Sequence, residues 1–471
     1  MIASKEIKIG FAPTRRTVFD KVEAKRYKDM IEARLRDWGV SYVNLDFLNE
    51  EGLLYSIADA DAVAARFRAE GVDAVFAPHC NFGTEDATAK LCSLVGKPVL
   101  LWGPRDDAPD EKGKRVRDTQ CGLFATSKIL RRLGVPFTYL TNSWIDGPEI
   151  ERGFRAFCRA VAAARAVSNA RIGQIGTRPK PFWSVIVNEG ELLERFGVEV
   201  VPASIMEVDR GVKEILSGDD ELGEVVADLK SGLAFPEQTD ERIALHAALI
   251  LWERRWAERE NLAAIGIQCW PDLPGALKIW PCFAGGEVTG GGIPVGCETD
   301  IHGALTGLML QGAAGEPTFC ADLTVRHPEN ENSELLWHCG PFPSCLAAEG
   351  EKLTVEGYGN SPEEAKGLGQ WRIKGGPVTL GRIDGDHGEY SIFLGEAKGT
   401  DGPYTRGTYL WIEVDDWPRW EQRFIYGPYI HHVIGVHAQV VPILHEACKY
   451  IPGLEPDLVA PGAEDVAAFW R

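Results

Sequence analysis

The sequence predicts two doubly wound α/β domains with parallel sheets, followed by a β-rich C-terminal domain built as a small antiparallel barrel. Three observations carry that prediction. Short apolar runs alternate with helix-period segments through the first third, and the same alternation resumes after one long helix. From about residue 350 the texture changes to glycine-punctuated, alternating strand patterns. Strands alternating with helices of this length build parallel sheets covered on both faces, whereas short alternating runs between glycines build antiparallel barrels.

In chain order, IKIGFAP (7–13) reads as a strand and Tyr27 to Trp38 as a helix. SYVNLDF (41–47) is the next strand, and Ala60 to Glu70 the next helix. VDAVFAP (72–78), a helix over Glu85 to Leu94, and PVLLWGP (98–104) follow, then a helix over Thr126 to Leu133 and the strand VPFTYL (135–140). A long helix from Pro148 to Ser168 leads into the second unit. There ARIGQIG (170–176), VEVVPAS (198–204) and AAIGIQCW (263–270) read as strands, with helices over Glu189–Phe196 and Thr239–Glu260. GPVTLGRI (376–383), EYSIFLGEA (389–397) and GTYLWIEV (407–414) are the barrel strands. The histidine-rich run YIHHVIGVH (429–437) precedes a last helical segment, Gln439 to Tyr450. The expected domains are therefore residues 1–168, 169–345 and 346–471, in keeping with 471 residues at about 150 per domain.

Composition narrows the function. Hydrophobic residues make up 45% and charged residues 25%, an ordinary globular balance. The net charge of −19 repels phosphate backbones and anionic lipid, which argues against nucleic-acid and membrane-surface partners. No apolar stretch approaches the length of a membrane span. The eleven cysteines form no CxxC pair and are odd in number, so they read as reduced thiols. Together with an N-terminal run lacking a signal-peptide core, this predicts a cytoplasmic protein.

Familiar catalytic motifs are missing. GFAPTRRT (10–17) and GQIGTRP (173–179) lack GxGxxG, GGEVTGGG (285–292) does not join a strand to a helix, and no GxxxxGK[ST] occurs. No GxSxG elbow or catalytic-cysteine signature appears, and Cys339, although beside a histidine, reads as a small buried filler. What remains is a set of carboxylates and imidazoles. Glu298 and Asp300 stand at a strand-to-helix handover, Asp322 in PTFCADLTV, His338 in LLWHCG, and His431, His432 and His437 near the C-terminus. Carboxylate oxygens with one or two imidazole nitrogens suit a Mn²⁺ or Mg²⁺ site. Against this stands a plainer assignment, in which Glu298 faces a helix dipole, Asp300 is a cap, and each histidine is an ordinary core or surface residue. Arg15, Arg16, His79, Asn81 and Trp102 fall at the C-terminal ends of predicted strands, where open α/β sheets bind ligands, and a sulfonate or phosphate on the substrate would give Arg15 and Arg16 a purpose.

The run from CETDIHGALT through PTFCADL to WHCG, with the late HH pair, resembles the L-fucose isomerase and L-arabinose isomerase superfamily. FGTEDATAKL (82–91), KPVLLWG (97–103) and VNEGELLERFGVEV (187–200) are similar to that family's domain punctuation, and the order of domains agrees. The resemblance implies a metal-dependent aldose–ketose isomerase working through a cis-enediolate, with Mn²⁺, or another divalent cation such as Mg²⁺ or Co²⁺. Carried over, Glu298 and Asp322 become ligands and the acid–base pair, and His338 and His432 further ligands. Asp at the second acidic position follows the fucose type, while His338 follows the arabinose type. His431 joins the first-domain residues as a substrate contact. The resemblance also implies a homotrimer or homohexamer, with the first domain lent to a neighbour's active site. Two alternatives stand beside it: a metal-dependent sugar dehydratase or aldolase-type lyase on the same scaffold, and a non-catalytic sugar-binding protein.

Overall fold

The computed structural model describes residues 6–109, 111–357 and 366–471. They form two compact units: one holds the described residues up to Ala162 together with Glu464–Arg471, the other Ala163–Ala463.

The first unit is a parallel sheet of β1 (Lys8–Phe11), β2 (Ser41–Val43), β3 (Ala74–Pro78), β4 (Val99–Trp102) and β5 (Phe137–Tyr139), ordered β2-β1-β3-β4-β5. β3 and β4 are buried along their whole length, as expected of strands covered on both faces. The order reverses between β1 and β3, so the loops leaving those two strands open the crevice where such sheets take ligands. The predicted strand 41–47 shortens to Ser41–Val43. The helix expected over Thr126–Leu133 runs over Thr119–Arg132 instead. Its extra turns are capped from a distance: the Asp106 carboxylate accepts from the backbone N–H and the hydroxyl of Thr119, both at 2.7 Å.

The second unit begins with β6 (Arg171–Ile175), β7 (Glu199–Ala203), β8 (Ala264–Ile267) and β9 (Val295–Cys297), parallel and ordered β7-β6-β8-β9. The helix Asp240–Glu260 is buried through most of its length and shares one apolar core with this sheet and the barrel behind it. Its start is capped by the Thr239 side chain, which accepts from Arg242 N, and it ends at Asn261 in the left-handed conformation.

The barrel follows: β10 (Thr318–Arg326), β11 (Ser333–His338), β12 (Thr354–Glu356), β13 (Leu368–Arg372), β14 (Gly376–Asp386), β15 (Glu389–Thr400), β16 (Thr408–Glu413), β17 (His432–Val436) and β18 (Leu454–Ala460). These make one nine-stranded sheet in the order β12-β13-β16-β11-β10-β17-β14-β15-β18. An extra antiparallel pairing of β15 with β16 closes the six central strands into a barrel. The fold class is thus as expected, but the boundary drawn at residue 345 falls inside the nine-stranded sheet, because β10 and β11 pair with β17 and β16. An apolar strand pattern announces burial and leaves its partner unstated. Among the described residues, no helix is long and apolar enough to cross a membrane.

Candidate functional site

β9 ends at Cys297, and the next two residues, Glu298 and Thr299, both take left-handed backbone angles, with φ of +57° and +61°. Two consecutive non-glycine residues in that region are costly, about 1–3 kcal/mol each, and persist only where the surroundings hold them. Here Thr299 N bonds to Ile267 O at 2.9 Å, and Trp270 Nε1 donates to Glu298 Oε1 at 2.8 Å. Asp300 caps the following helix, Ile301–Ala314, by accepting from Gly303 N at 2.9 Å. The strained corner therefore turns strand into helix and leaves the Glu298 carboxylate on a fixed tether.

Three barrel strands bring the other donors to that carboxylate. Asp322 on β10 pairs with His432 on β17, and His338 is the last residue of β11. His432 Nε2 lies 3.0 Å from Glu298 Oε2 and 3.4 Å from Asp322 Oδ1. His338 Nε2 lies 3.9 Å from Asp322 Oδ1, beyond hydrogen-bond reach. Both of those atoms are buried without a hydrogen-bond partner. Donor atoms of Glu298, His338 and His432 fall within 4.8 Å of one another, as do those of Asp322, His431 and His432. Buried donors left unsatisfied are uncommon, and a divalent cation among them would satisfy them. The mixed oxygen and nitrogen set fits Mn²⁺, Mg²⁺ or Co²⁺. A cavity of about 330 Å³ opens onto Glu298, Asp322 and His338, with Trp270, Trp280 and Trp337 in its walls.

Behind the donors runs a buried polar chain. His432 turns its other nitrogen, Nδ1, to Asp300 Oδ2 at 2.9 Å. Asp300 also pairs with Arg382 Nη1, and Arg382 donates through Nε and Nη2 to Asp384 Oδ2 at 2.9 and 2.8 Å. Asp384 Oδ1 then meets His302 Nδ1 at 3.0 Å. Burial alone would depress the His432 pKa, but its hydrogen bonds to Asp300 and Glu298 outweigh it and raise the ring to about 9. Burial likewise pushes Glu298 up, yet the His432 hydrogen bond and the charges of His338 and His432 hold its carboxyl below the usual range. Asp300 is held well below that range: Arg382 and His432 overcome its burial. A carboxylate fixing the far nitrogen of a candidate ligand histidine sets its ring orientation. The plainer assignment of Asp300 as a cap is correct, and incomplete. Sequence reasoning missed Arg382, Asp384 and His302; the available signal was an arginine inside the otherwise apolar run GPVTLGRI.

His431 is exposed and packs edge-on to Phe182, at 6.2 Å between ring centres. The remaining sequence candidates gather in the first unit. Arg15 is buried and paired with Glu51 at 2.5 Å, and Arg16 pairs with Glu85 at 3.3 Å, so an anionic substituent arriving there has to compete with glutamate. Asn81 Oδ1 accepts from Arg16 N and Gly83 N at 2.8 and 3.1 Å, tying the two crevice loops together. His79 Nδ1 lies 2.7 Å from Phe82 O, while Nε2 is buried and unpartnered, and burial pulls the ring down to about 4. Trp102 is fully buried and donates to Ser143 Oγ at 3.2 Å.

Comparison with known proteins adds to this geometry. Residues 10–170 match a family model described as the N-terminal domain of fucose/sulfoquinovose isomerase. The sulfoquinovose isomerase of Priestia aryabhattai is 25% identical over 410 residues, covering 86% of this chain and 88% of that protein. The sulfoquinovose isomerase of Alkalicoccus urumqiensis is 26% identical over 333 residues, covering 70% and 73%. Among solved structures, a periplasmic solute-binding protein of Actinobacillus succinogenes 130z with bound D-allose covers 58% of this chain and 82% of its own. At 12% identity and a TM-score of 0.17 that likeness carries no argument.

Proposed function

We propose, from its likeness to the fucose/sulfoquinovose isomerases, that the chain is an aldose–ketose isomerase of the fucose isomerase-like family acting on a hexose with an anionic C6 substituent, sulfoquinovose in the first instance. The observation that carries the chemical reading is the convergence of Glu298, Asp322 and His338 on one tryptophan-walled cavity, with the buried His432 ring 3.0 Å behind Glu298 and with Asp322 Oδ1 and His338 Nε2 lacking a hydrogen-bond partner. The substrate class is supported by the names of the relatives.

In this reading Glu298, Asp322 and His432 hold a divalent cation, Mn²⁺ before Mg²⁺ or Co²⁺, with His338 completing the set. When bound, such an ion polarises the sugar carbonyl and stabilises the oxyanion of a cis-enediolate. The chain's own residues do the rest. Glu298 and Asp322 arrive from β9 and β10 as separate carboxylates, one to take the C2 proton and the other to deliver a proton at C1. Trp270 holds Glu298 by its Oε1, and Asp300 holds the His432 ring, so neither group has to reorganise during the transfer. The three tryptophans offer apolar faces to the sugar and displace water. We further propose a homotrimer or homohexamer in which the first unit is lent to a neighbour's cavity; light scattering that returned a fully active monomer would reject it.

The test is an isomerisation screen of aldoses with and without a C6 sulfonate or phosphate, in Mn²⁺, followed by NMR in deuterated water. Ketose formation with solvent deuterium at C1 supports the reading. With a C2-deuterated aldose in ordinary water, complete carriage of the deuterium to C1 would leave the carboxylates as ligands only, and loss of water or carbon–carbon cleavage would identify a dehydratase or lyase.

A further inference from the structure

A second cluster sits beside the same cavity and takes no part in the chemistry above. Cys269 lies just beyond β8, Cys282 opens the helix Cys282–Gly290, Cys297 ends β9, and Cys339 follows β11. Cys269 Sγ and Cys297 Sγ are 3.2 Å apart, and Cys282 Sγ and Cys339 Sγ 3.4 Å apart. The sulfurs of Cys269, Cys282 and Cys297 all fall within 4.8 Å of one another, and these three residues are only 1–2% exposed. We propose that Cys269, Cys282, Cys297 and Cys339 form a tetrathiolate site for a single soft divalent cation, Zn²⁺ in the first instance, separate from the carboxylate–imidazole centre.

The spacing selects among the things four cysteines can do. Thiols used as apolar filler gain little by meeting, since S–H is a weak donor and sulfur a weak acceptor. A disulfide requires about 2.05 Å between sulfurs, so each close pair would have to approach by more than about 1 Å. An iron–sulfur cluster places several irons and sulfides between its thiolates and spreads them beyond so tight a group. A lone tetrahedral ion with bonds of about 2.3 Å holds its sulfurs about 3.8 Å apart, between the two close pairs and the 4.8 Å that bounds the Cys269–Cys282–Cys297 group, with Cys339 reaching it through Cys282. Four cysteines from four separate elements meet the ligand count of a closed structural site. Trp280 packs against the cluster, and its buried indole N–H has no hydrogen-bond partner.

The position gives the ion a task. Cys297 immediately precedes Glu298, and Cys339 immediately follows His338, whose Nδ1 lies 3.3 Å from Cys339 Sγ. β8 and β9 belong to the parallel sheet and β11 to the barrel, so an ion shared by the four sulfurs ties the two sheets together where the candidate ligands leave them. The cysteines are then positioning residues for the neighbouring centre, independent of which sugar, or whether any, is turned over there.

The experiment uses the full-length protein. After exhaustive EDTA dialysis, which strips an open carboxylate–imidazole centre, metal analysis is expected to find one zinc per chain, released when a mercurial reagent blocks the thiols. Protein produced with cobalt is expected to show sulfur-to-cobalt charge-transfer absorption and the visible bands of a tetrahedral ion. Those bands should persist in Asp322→Asn and vanish in Cys282→Ser. Wild-type protein that holds no EDTA-resistant ion and shows no thiolate–cobalt band overturns the proposal, as does a mass deficit marking a Cys269–Cys297 or Cys282–Cys339 disulfide. Because the wild-type measurements decide the matter, a Cys282→Ser chain that failed to fold would not shield it.

Discussion

Asp322 and His432 face each other across the β10–β17 ladder, with Oδ1 3.4 Å from Nε2. That relationship is a matter of register. A slip of one residue would turn the Asp322 side chain to the other face of the sheet and bring Ala321 or Leu323 opposite His432, so strand alignment and site assembly are one event.

Glu298→Gln and Asp322→Asn should each lower turnover by about 10²–10⁴-fold at saturating Mn²⁺, the usual size of a general acid–base contribution. Neither should support exchange of the C2 proton with solvent. Steady-state rates at several Mn²⁺ concentrations separate lost proton transfer from weakened metal binding, and a wild-type rate in either variant would remove that carboxylate from the mechanism.

Arg382→Met should destabilise the fold by about 3–5 kcal/mol, because it leaves Asp300 and Asp384 buried without their shared counter-charge. Thermal unfolding measures the loss. A variant as stable as wild type would mean that the Asp300–Arg382–Asp384 chain is not the internal support described above.

Chelation should abolish activity and added Mn²⁺ restore it. Mn²⁺ should also raise the melting temperature of the chelated protein, by an amount equivalent to about 2.7 kcal/mol at a hundredfold excess over its dissociation constant. His432→Ala should lose most of that stabilisation, since His432 belongs to both candidate ligand sets. Full turnover after exhaustive chelation would reject the metal.

Glu253 should make the fold weaken as pH rises. It is fully buried in the helix Asp240–Glu260, neither carboxylate oxygen has a hydrogen-bond partner, and burial pushes its pKa up to about 8 from 4.5. Below about pH 4.5 both folded and unfolded chains hold the proton, and the site carries no ionisation penalty. Between there and about 8 the unfolded chain has released it and the folded chain has not, so stability falls by about 1.4 kcal/mol per pH unit. Glu253→Gln should therefore melt near wild type in mild acid and well above it in mild base. A difference in melting temperature that stayed constant with pH would refute this.

The parts of the fold legible in the sequence are those written locally. The apolar runs that became β1, β3, β4, β6 and β8 carry their own burial pattern, and the helix Asp240–Glu260 announces itself by its caps and length. What depends on distant partners was not legible. Thr119 starts a helix because Asp106 reaches it, and β10 joins the barrel because β17 arrives more than a hundred residues later. The candidate site divides in the same way. Glu298, Asp322, His338 and His432 came from a family resemblance and do meet in space, whereas Arg382 and Asp384 lay hidden in an ordinary strand pattern. The four cysteines, without any CxxC spacing, gave no hint that their sulfurs converge.

The place of β17 between β10 and β14 also sets a timetable for the chain. Glu298 and His432 are 134 residues apart in sequence, and contacts of such separation form late because loop closure must precede any gain from them. A growing polypeptide can complete its first parallel sheet well before His432 has been synthesised, and until β17 enters between β10 and β14 the Glu298 carboxylate has no imidazole to meet. The earlier strands spend that interval with open edges, which are the places where chains join wrongly. The meeting of Glu298 with His432 therefore marks the moment at which β17 has taken its place in the barrel.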